Sequence, residues 1–367
     1  MKRLRLPRLS LAGPRPGGTP GCAWSIQAWR LSRRAAGLLL TLFASLLGLA
    51  LVTFFIGRLL PTDPVLALVG DHASAETYQA AFEKLRLDQP LPRQFLAYLG
   101  DVLAGDWGVS ATTSRPVAED IATFFPATAE LAIVAIAIGV GLGLPLGLVA
   151  ARHAGRWPDH ASRLLSLAGH SVPVFWLGLV GLLVFYARLG WVGGPGRLDI
   201  AYAYSIDSVT GMVLIDTLLA GDRAAFLNAL SHIALPGIIL GLMALGYIAR
   251  MTRAFLLGEM GKDYLTTARL KGLSEGQILV RHVLPAVAGP VLAVIAWTFA
   301  YLLEGAVLTE TLFAWPGLGL YITQSLFAAD IPAVLAGTLL IGVCFTAVNF
   351  IAEALQALLD PRTRAAA

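Results

Sequence analysis

Residues 263–285 read "DYLTTARLKGLSEGQILVRHVLP", a polar stretch between two long apolar segments. From Asp263 to Lys271 the residues are good or tolerable helix formers, and Tyr264, Leu265, Ala268 and Gly272 fall on one side at three- and four-residue spacing. Thr266, Arg269 and Lys262 lie away from them. A helix this short lies on a membrane surface and does not span. Gly272 suits a left-handed C-terminal stop, and Ser274 with Gln277 makes an S-x-x-Q capping box that opens a second helix. That helix then meets Pro285, which removes an internal hydrogen bond. A surface helix, a sharp turn and a stiff connection can transmit a push, with the small-residue face around Ala268 and Gly272 offered to a soluble partner. Standing alone, the same pattern is an ordinary loop between spans.

The surrounding sequence places this hairpin at a membrane. Of 367 residues, 57% are hydrophobic and 14% charged, which excludes an ordinary soluble domain. Six apolar runs are long enough to cross a bilayer: Ala36 to Leu60, Thr128 to Ala151, Leu164 to Tyr186, Ile233 to Leu257, Ala286 to Leu308 and Ile331 to Leu358. Each has to be helical, because backbone amides cannot go unpaired in lipid.

The segments between the runs alternate in charge. Residues 1–35 hold eight Lys or Arg and no acid, 152–163 three Arg and one Asp, and 250–282 six basic and three acidic residues. By contrast, 61–128 hold four basic and nine acidic residues, 188–231 three and four, and 311–330 none and one. Basic segments stay in the cytoplasm, so both termini and the 263–285 hairpin are expected there. The basic start is too long for a signal peptide and its apolar run exceeds an h-region, so an uncleaved first span is expected. Its arginines orient that span, with contact to anionic lipid as the alternative.

This divides the chain into a basic cytoplasmic N-terminal extension (1–35), a first span (36–60), an outer lid of short helices (61–127), a five-span core (128–358) that includes the surface helix 263–272, and a cytoplasmic tail (359–367). In the lid, Ala75, Tyr78, Phe82 and Leu85 repeat at helical spacing, Phe95, Leu99 and Leu103 follow Pro92, and a third piece from Ser114 and Pro116 puts Val117, Ile121 and Phe124 on one face. In 190–231, glycines and Pro195 argue for turns, and Val209 to Leu219 is too short and punctuated to span.

Several residues are candidates for chemistry. Glu304 lies within the fifth run and Glu353 toward the inner end of the sixth; an intramembrane carboxylate marks a functional site by default, or else packs against a neighbouring helix or subunit. Glu310 and "FAWPGLG" (Phe313 to Gly319) close the fifth run, where Trp315 is placed to anchor the interface and Pro316 and Gly317 to make a turn. Pro173 beside Ser171 predicts a local kink, with Phe175 and Trp176 on a helix or pathway surface. Ser171 and His170 are adjacent, so on a helix they point about 100° apart and do not form a nucleophile and base.

Cys22 and Cys344 give no disulfide or metal framework, and the six histidines form no zinc motif. "LSEGQ" (Leu273 to Gln277) looks like a nucleotide-contacting signature, but the one Gly-Lys pair, Gly261-Lys262, precedes Asp263 and no P-loop exists. No internal repeat is evident, which weakens a secondary transporter built from two halves.

The hairpin resembles the "EAA" loop of permease subunits of binding-protein-dependent ABC importers, E-A-A-x-x-x-G followed nine residues later by I-x-L-P. Ala268, Gly272, Leu284 and Pro285 match it, while Thr266, Thr267 and His282 depart. "DYLTTARLKGLS" is closer to the version common in peptide importers. "LRLDQPLPRQFLAYLGDVLAGDWGVS" (Leu85 to Ser110), "RPVAEDIATFFPATAELA" (Arg115 to Ala132), "SVPVFWLGL" (Ser171 to Leu179), "GAVLTETLFAWPGLG" (Gly305 to Gly319) and "LLDPRTR" (Leu358 to Arg364) are similar to the dipeptide, oligopeptide and nickel permease family.

The resemblance implies an all-α integral membrane protein with six transmembrane helices, the type I ABC importer permease fold, in the bacterial inner membrane. It implies a non-enzymatic translocation subunit that pairs with a second, related permease and works with two ATPase subunits, a solute-binding protein, a peptide substrate and membrane lipid, and with no nucleic acid. ATP and Mg would be used by the ATPases, with no cofactor in this chain. Asp263, Tyr264, Thr267, Ala268, Arg269 and Gly272 then become ATPase-coupling residues, and Pro173, Phe175, Trp176, Glu304, Glu310, Pro316 and Gly317 residues of the translocation path or its gate. A peptide substrate is expected; nickel or another small solute, or proton-coupled transport through Glu304, are the alternatives.

Overall fold

The computed structural model describes residue 37 and residues 40–57, 64–70, 72–203 and 205–359. The basic extension, both ends of the first span and the chain from residue 360 lie outside them. The described chain is helical: α1 (Leu40–Gly57), α2 (Pro64–Val69), α3 (Ala75–Lys84), α4 (Leu91–Leu103), α5 (Val117–Arg152), α6 (Trp157–Ser171), α7 (Val174–Gly181), α8 (Ile200–Ala203), α9 (Val213–Leu219), α10 (Arg223–Met260), α11 (Asp263–Leu270), α12 (Glu275–Ile278), α13 (Leu284–Leu312), α14 (Leu318–Phe327) and α15 (Ile331–Leu359). Among the described residues, five helical stretches are long and apolar enough to cross a membrane: α1, α5, α10, α12 through α13, and α15.

The remaining apolar run is broken. A span with a kink at Pro173 was expected over 164–186, and the helix is interrupted there: α6 ends at Ser171 and Val172 is extended at φ −88°, ψ 127°. The ring of Pro173 disfavours helical geometry at the residue before it, and α7 restarts behind it and loosens into a π-helical turn, Leu182–Arg188. At about 1.5 Å per residue, 174–188 alone is too short to cross, so the crossing needs α6 as well.

One expectation gives way to continuity. The amphipathic piece from Ser114 is not separate: it runs into the second span as the first turns of α5, with Pro126 inside the helix. A proline forfeits one backbone bond there, and flanking turns and neighbouring helices compensate. At Pro285, where a lost hydrogen bond was expected, the π-helical turn Leu279–Val283 precedes the proline, and the chain is helical from Glu275 to Leu312.

α10 is the innermost helix. In its apolar window 72% of the residues are buried, against 22–28% in the other four. It packs along α5 through small residues: a Cβ on Gly139 would sit 2.5 Å from that of Ala244, and one on Gly147 2.7 Å from the carbonyl of Ala249. With Gly143 against Leu245 and Ile248, these glycines make a four-residue repeat that brings the two backbones together, as small residues do where helices meet in lipid. Leu131, Ala135, Ile233, Leu240, Ala244, Ile248, Leu302 and Ala306 form the main core between α5, α10 and α13.

Candidate functional site

The two ends of this bundle hold the candidate residues, and they are built differently. At the first end stands α11. Ser274 accepts from the Gln277 amide and Gln277 Oε1 from the Ser274 amide, the reciprocal pair of a capping box. Gly272 adopts φ +82°, open to glycine and strained for other residues. Leu265 and Ala268 are buried and join Ala151, Leu256, Ile278, Val283 and Val287 in a core that ties α11 to α5, α10 and the start of α13.

This corrects the facing of the helix. Ala268 points into the chain, because small residues permit close approach to the bundle, so the face left open carries Asp263, Tyr264, Thr267 and Leu270. Leu270 is 84% exposed. Tyr264 donates its hydroxyl to Glu259 Oε1 at 2.8 Å, and Lys262 pairs with Glu259 Oε2. Arg269 binds Glu275 across the turn at 2.8 Å, and that bond holds the exposed Glu275 carboxyl below its usual range.

Nearby, Asp159 fastens α6 to α10. Its buried carboxylate accepts from Arg253 at 2.6 and 2.8 Å, from Arg163 at 3.2 and 2.8 Å and from the Gly155 amide at 2.9 Å. The Arg253 bonds foremost, and then those of Arg163, hold it far below the ordinary carboxylate range in spite of burial.

At the opposite end, α14 folds back between α13 and α15. Glu310 is fully buried. Its carboxylate accepts from Thr128 Oγ1 at 2.6 Å and the Leu320 amide at 2.9 Å, while Thr128 Oγ1 accepts from the Leu318 amide at 2.8 Å. Carboxylate and hydroxyl thus satisfy amides that α14 leaves open at its start. A Cβ on Gly317 would lie 2.4 Å from the Glu310 carboxyl carbon, and one on Gly319 2.8 Å from its Oε2, so both positions require glycine.

Trp315, expected at an interface, is 1% exposed and donates its indole N–H to the Ala127 carbonyl at 2.9 Å. Arg197 lies 5.5 Å over its ring, pairs with Glu130 at 2.5 Å and donates to the Gly211 carbonyl at 2.8 Å. Glu130 Oε1 also accepts from the Leu214 amide at 2.6 Å. Glu130 and Arg197 were not singled out in the sequence, although an acid inside an apolar helix and an arginine among glycines are detectable signals.

Glu304 belongs to neither cluster. It is exposed on α13, on a face shared with Trp297, Tyr301 and Leu308. Phe175 and Trp176, 54% and 52% exposed, flank the Pro173 break, and Pro316 is exposed beside buried Gly317. Glu353 is exposed on α15 and the His170 side chain lies outside the described residues. Among the described residues no three His, Cys, Asp or Glu side chains gather closely enough to hold a metal ion.

Comparison with known proteins gives this geometry a setting. A family model described as the binding-protein-dependent transport system inner membrane component matches residues 143–365, and the N-terminal model of such components matches residues 30–132. The probable D,D-dipeptide transport system permease protein of Escherichia coli is 40% identical over 92% of this chain and 97% of its own. The di/tripeptide transport system permease protein of Pseudomonas aeruginosa is 41% identical over 90% and 97%, and the dipeptide transport system permease protein of Haemophilus influenzae 39% over 89% and 97%. Among solved structures, an inward-facing MetNI methionine ABC transporter aligns with 64% of this chain and 93% of its own at a TM-score of 0.45 and 17% identity.

Proposed function

The chain belongs to the family of binding-protein-dependent transport system inner membrane components, and from that premise we propose that it is one of two permease subunits importing dipeptides or short oligopeptides at the expense of ATP. It is a multi-pass inner-membrane protein. In this reading its termini and the α11 end face the cytoplasm, where two ATPase subunits bind and hydrolyse ATP with Mg, while the α14 end faces outward toward a solute-binding protein. The chain itself holds no cofactor and performs no covalent chemistry.

The observation that carries this reading is the division of α11 into two faces. Leu265 and Ala268 anchor it to three long helices, and Thr267 and Leu270 stay exposed on the other side beside Tyr264, which holds Glu259. A helix fixed on one face and uncovered on the other passes displacement of a docked ATPase into α5, α10 and α13, which exposes the path alternately to the two sides. Asp263 and Arg269 flank the contact, and Gly272 sets its angle. The peptide substrate is supported by the dipeptide systems named for the relatives; nickel or another small solute is the competing cargo.

The α13 face bearing Glu304 is assigned to the path or to the second permease, since a carboxylate within a span is costly against lipid. Pro173, Phe175 and Trp176 border the path at the broken crossing, and Glu310, Pro316 and Gly317 build its outer gate. Purification of the tagged chain in mild detergent should recover a second permease and two ATPases, with ATP hydrolysis stimulated by a peptide-loaded binding protein. Recovery of a lone protein that moves solute under a proton gradient would overturn the reading. Glu304→Gln should change peptide uptake kinetics; unchanged kinetics remove Glu304 from the path.

A further inference from the structure

A cavity of about 340 Å³ opens where α3 and α4 meet the ends of α1 and α15. Its floor is apolar: Phe54 and Gly57 from α1, Leu335 and Leu339 from α15. Leu339 lies eight residues beyond Ile331, so the floor reaches about 12 Å along a membrane-crossing helix. Charged residues also line it, Lys84 and Arg86 together with Asp101, Asp106 and the buried Asp330.

Two buried polar atoms of residues lining the cavity have no hydrogen-bond partner among the described residues. Gln94 is 7% exposed and its Nε2 donates to the Gln89 carbonyl at 2.7 Å, but its Oε1 accepts nothing from the described residues, and the buried Tyr98 hydroxyl is unpaired among them too. Burial pushes the Tyr98 hydroxyl above its ordinary range, so it keeps its proton to donate. Buried polar groups left in this way are costly, which marks them for a missing partner.

The charged lining is unpaired in a complementary way. Arg86 and Asp101 satisfy one another at 3.1 Å. Lys84 makes no ion pair among the described residues, and neither does Asp106, whose Oδ1 takes only the Gly108 amide at 3.0 Å. One cation and one carboxylate therefore wait beside a hydrogen-bond acceptor and a hydroxyl, above an apolar trough. Water would serve the polar atoms but leave the trough wet.

We propose that this cavity is a binding site for a zwitterionic aminophospholipid of the surrounding membrane. Its phosphate lies by Lys84, its ammonium by Asp106 and Gln94 Oε1, and its acyl chain runs over Phe54, Leu335 and Leu339. The lipid pins the α3–α4 layer to the two spans, independently of what the transporter carries.

The test uses the full-length chain, assembled with its partners, in nanodiscs doped with photoactivatable phosphatidylethanolamine or phosphatidylglycerol of identical acyl chains. Ethanolamine lipid should label α4 and the start of α15 several-fold more than glycerol lipid. Tyr98→Phe with Lys84→Gln should cut that labelling about tenfold; the Tyr98 hydroxyl has no hydrogen bond and Lys84 no ion pair among the described residues, and phenylalanine keeps the ring contact with Phe54, so yield and melting temperature should hold. Leu335→Trp, which fills the trough and spares the polar atoms, should cut it as well. Equal labelling by the two lipids, labelling indifferent to both variants, or displacement by a free dipeptide each overturns the proposal. These readouts do not depend on which solute is imported.

Discussion

The two ends of the bundle both bury bonded acids, Asp159 near α11 and Glu310 at α14, but they differ in what they leave uncovered. At the α14 end Glu310, Asp120 and Glu130 are buried and bonded within the chain: Glu310 to Thr128 and the start of α14, Asp120 to Arg115 and the Tyr321 hydroxyl, Glu130 to Arg197 and the Leu214 amide. At the α11 end the Arg269–Glu275 pair is exposed and Leu270 is left bare. At the α14 end the buried acids are held within the chain, whereas the exposed face of α11 is left for another molecule. Substitutions of Glu310 should therefore act on stability, and substitutions on the exposed face of α11 on coupled transport.

The largest effect expected is at Glu310. Glu310→Leu strands Thr128 Oγ1 and the Leu320 amide in a dry interior, at about 1–3 kcal/mol for each unsatisfied group; thermal melting in detergent should fall sharply. An unchanged melt breaks the claim that this end is held by its buried acid. Gly317→Ala, with its Cβ driven against the same carboxylate, should follow closely.

At the other end Gly272→Leu should cost only about 1–2 kcal/mol of local backbone strain and leave insertion intact, yet abolish peptide uptake. Normal uptake in a well-inserted variant would sink the coupling role of α11. Leu270→Asp is milder for the fold, within about 0.5 kcal/mol for an exposed site, and should lower binding-protein-stimulated ATP hydrolysis. If stability fell instead, the bare face would be part of this chain's own core.

The smallest effect is a pH dependence. Asp159 has its folded-state pKa depressed below its ordinary 3.8, so its contribution is present above that value and lost as pH falls through the depressed range. Asp159→Asn should lower the melting temperature at neutral pH, and the gap from the unsubstituted protein should narrow only below about pH 4. A gap constant down to pH 2 would assign the effect to packing.

Features set by neighbours in sequence were legible. The capping box at Ser274 and Gln277, the stop at Gly272 and the break before Pro173 each depend on a few adjacent residues. What escaped was set by distance along the chain. Glu310 and Thr128 are 182 residues apart, and Trp315 reaches a carbonyl 188 residues away, so a tryptophan at the end of an apolar run looked like an interfacial anchor when it is core. The facing of Ala268 was misjudged for a related reason: helical spacing groups residues on one side without saying which side the bundle takes. The repeat of Gly139, Gly143 and Gly147 was readable at four-residue spacing, and its meaning became plain only with α10 beside it.

That glycine repeat also fixes where the molecule can bend. With no side chain on the α5 glycines, α5 and α10 come within contact of each other's backbone at several levels, at Leu245 and Ala249 among them, and sliding one past the other meets collision. They form a strut about 50 Å long, interrupted in its hydrogen bonding only at Pro126, Pro145 and Pro236, and a tilt imposed at one end is carried toward the other. Flexure falls to the joints with irregular hydrogen bonding, the extended Val172 and the turn at Leu279–Val283. A crosslink between α5 and α10 should be harmless to the transport cycle, and one that spans either joint should arrest it.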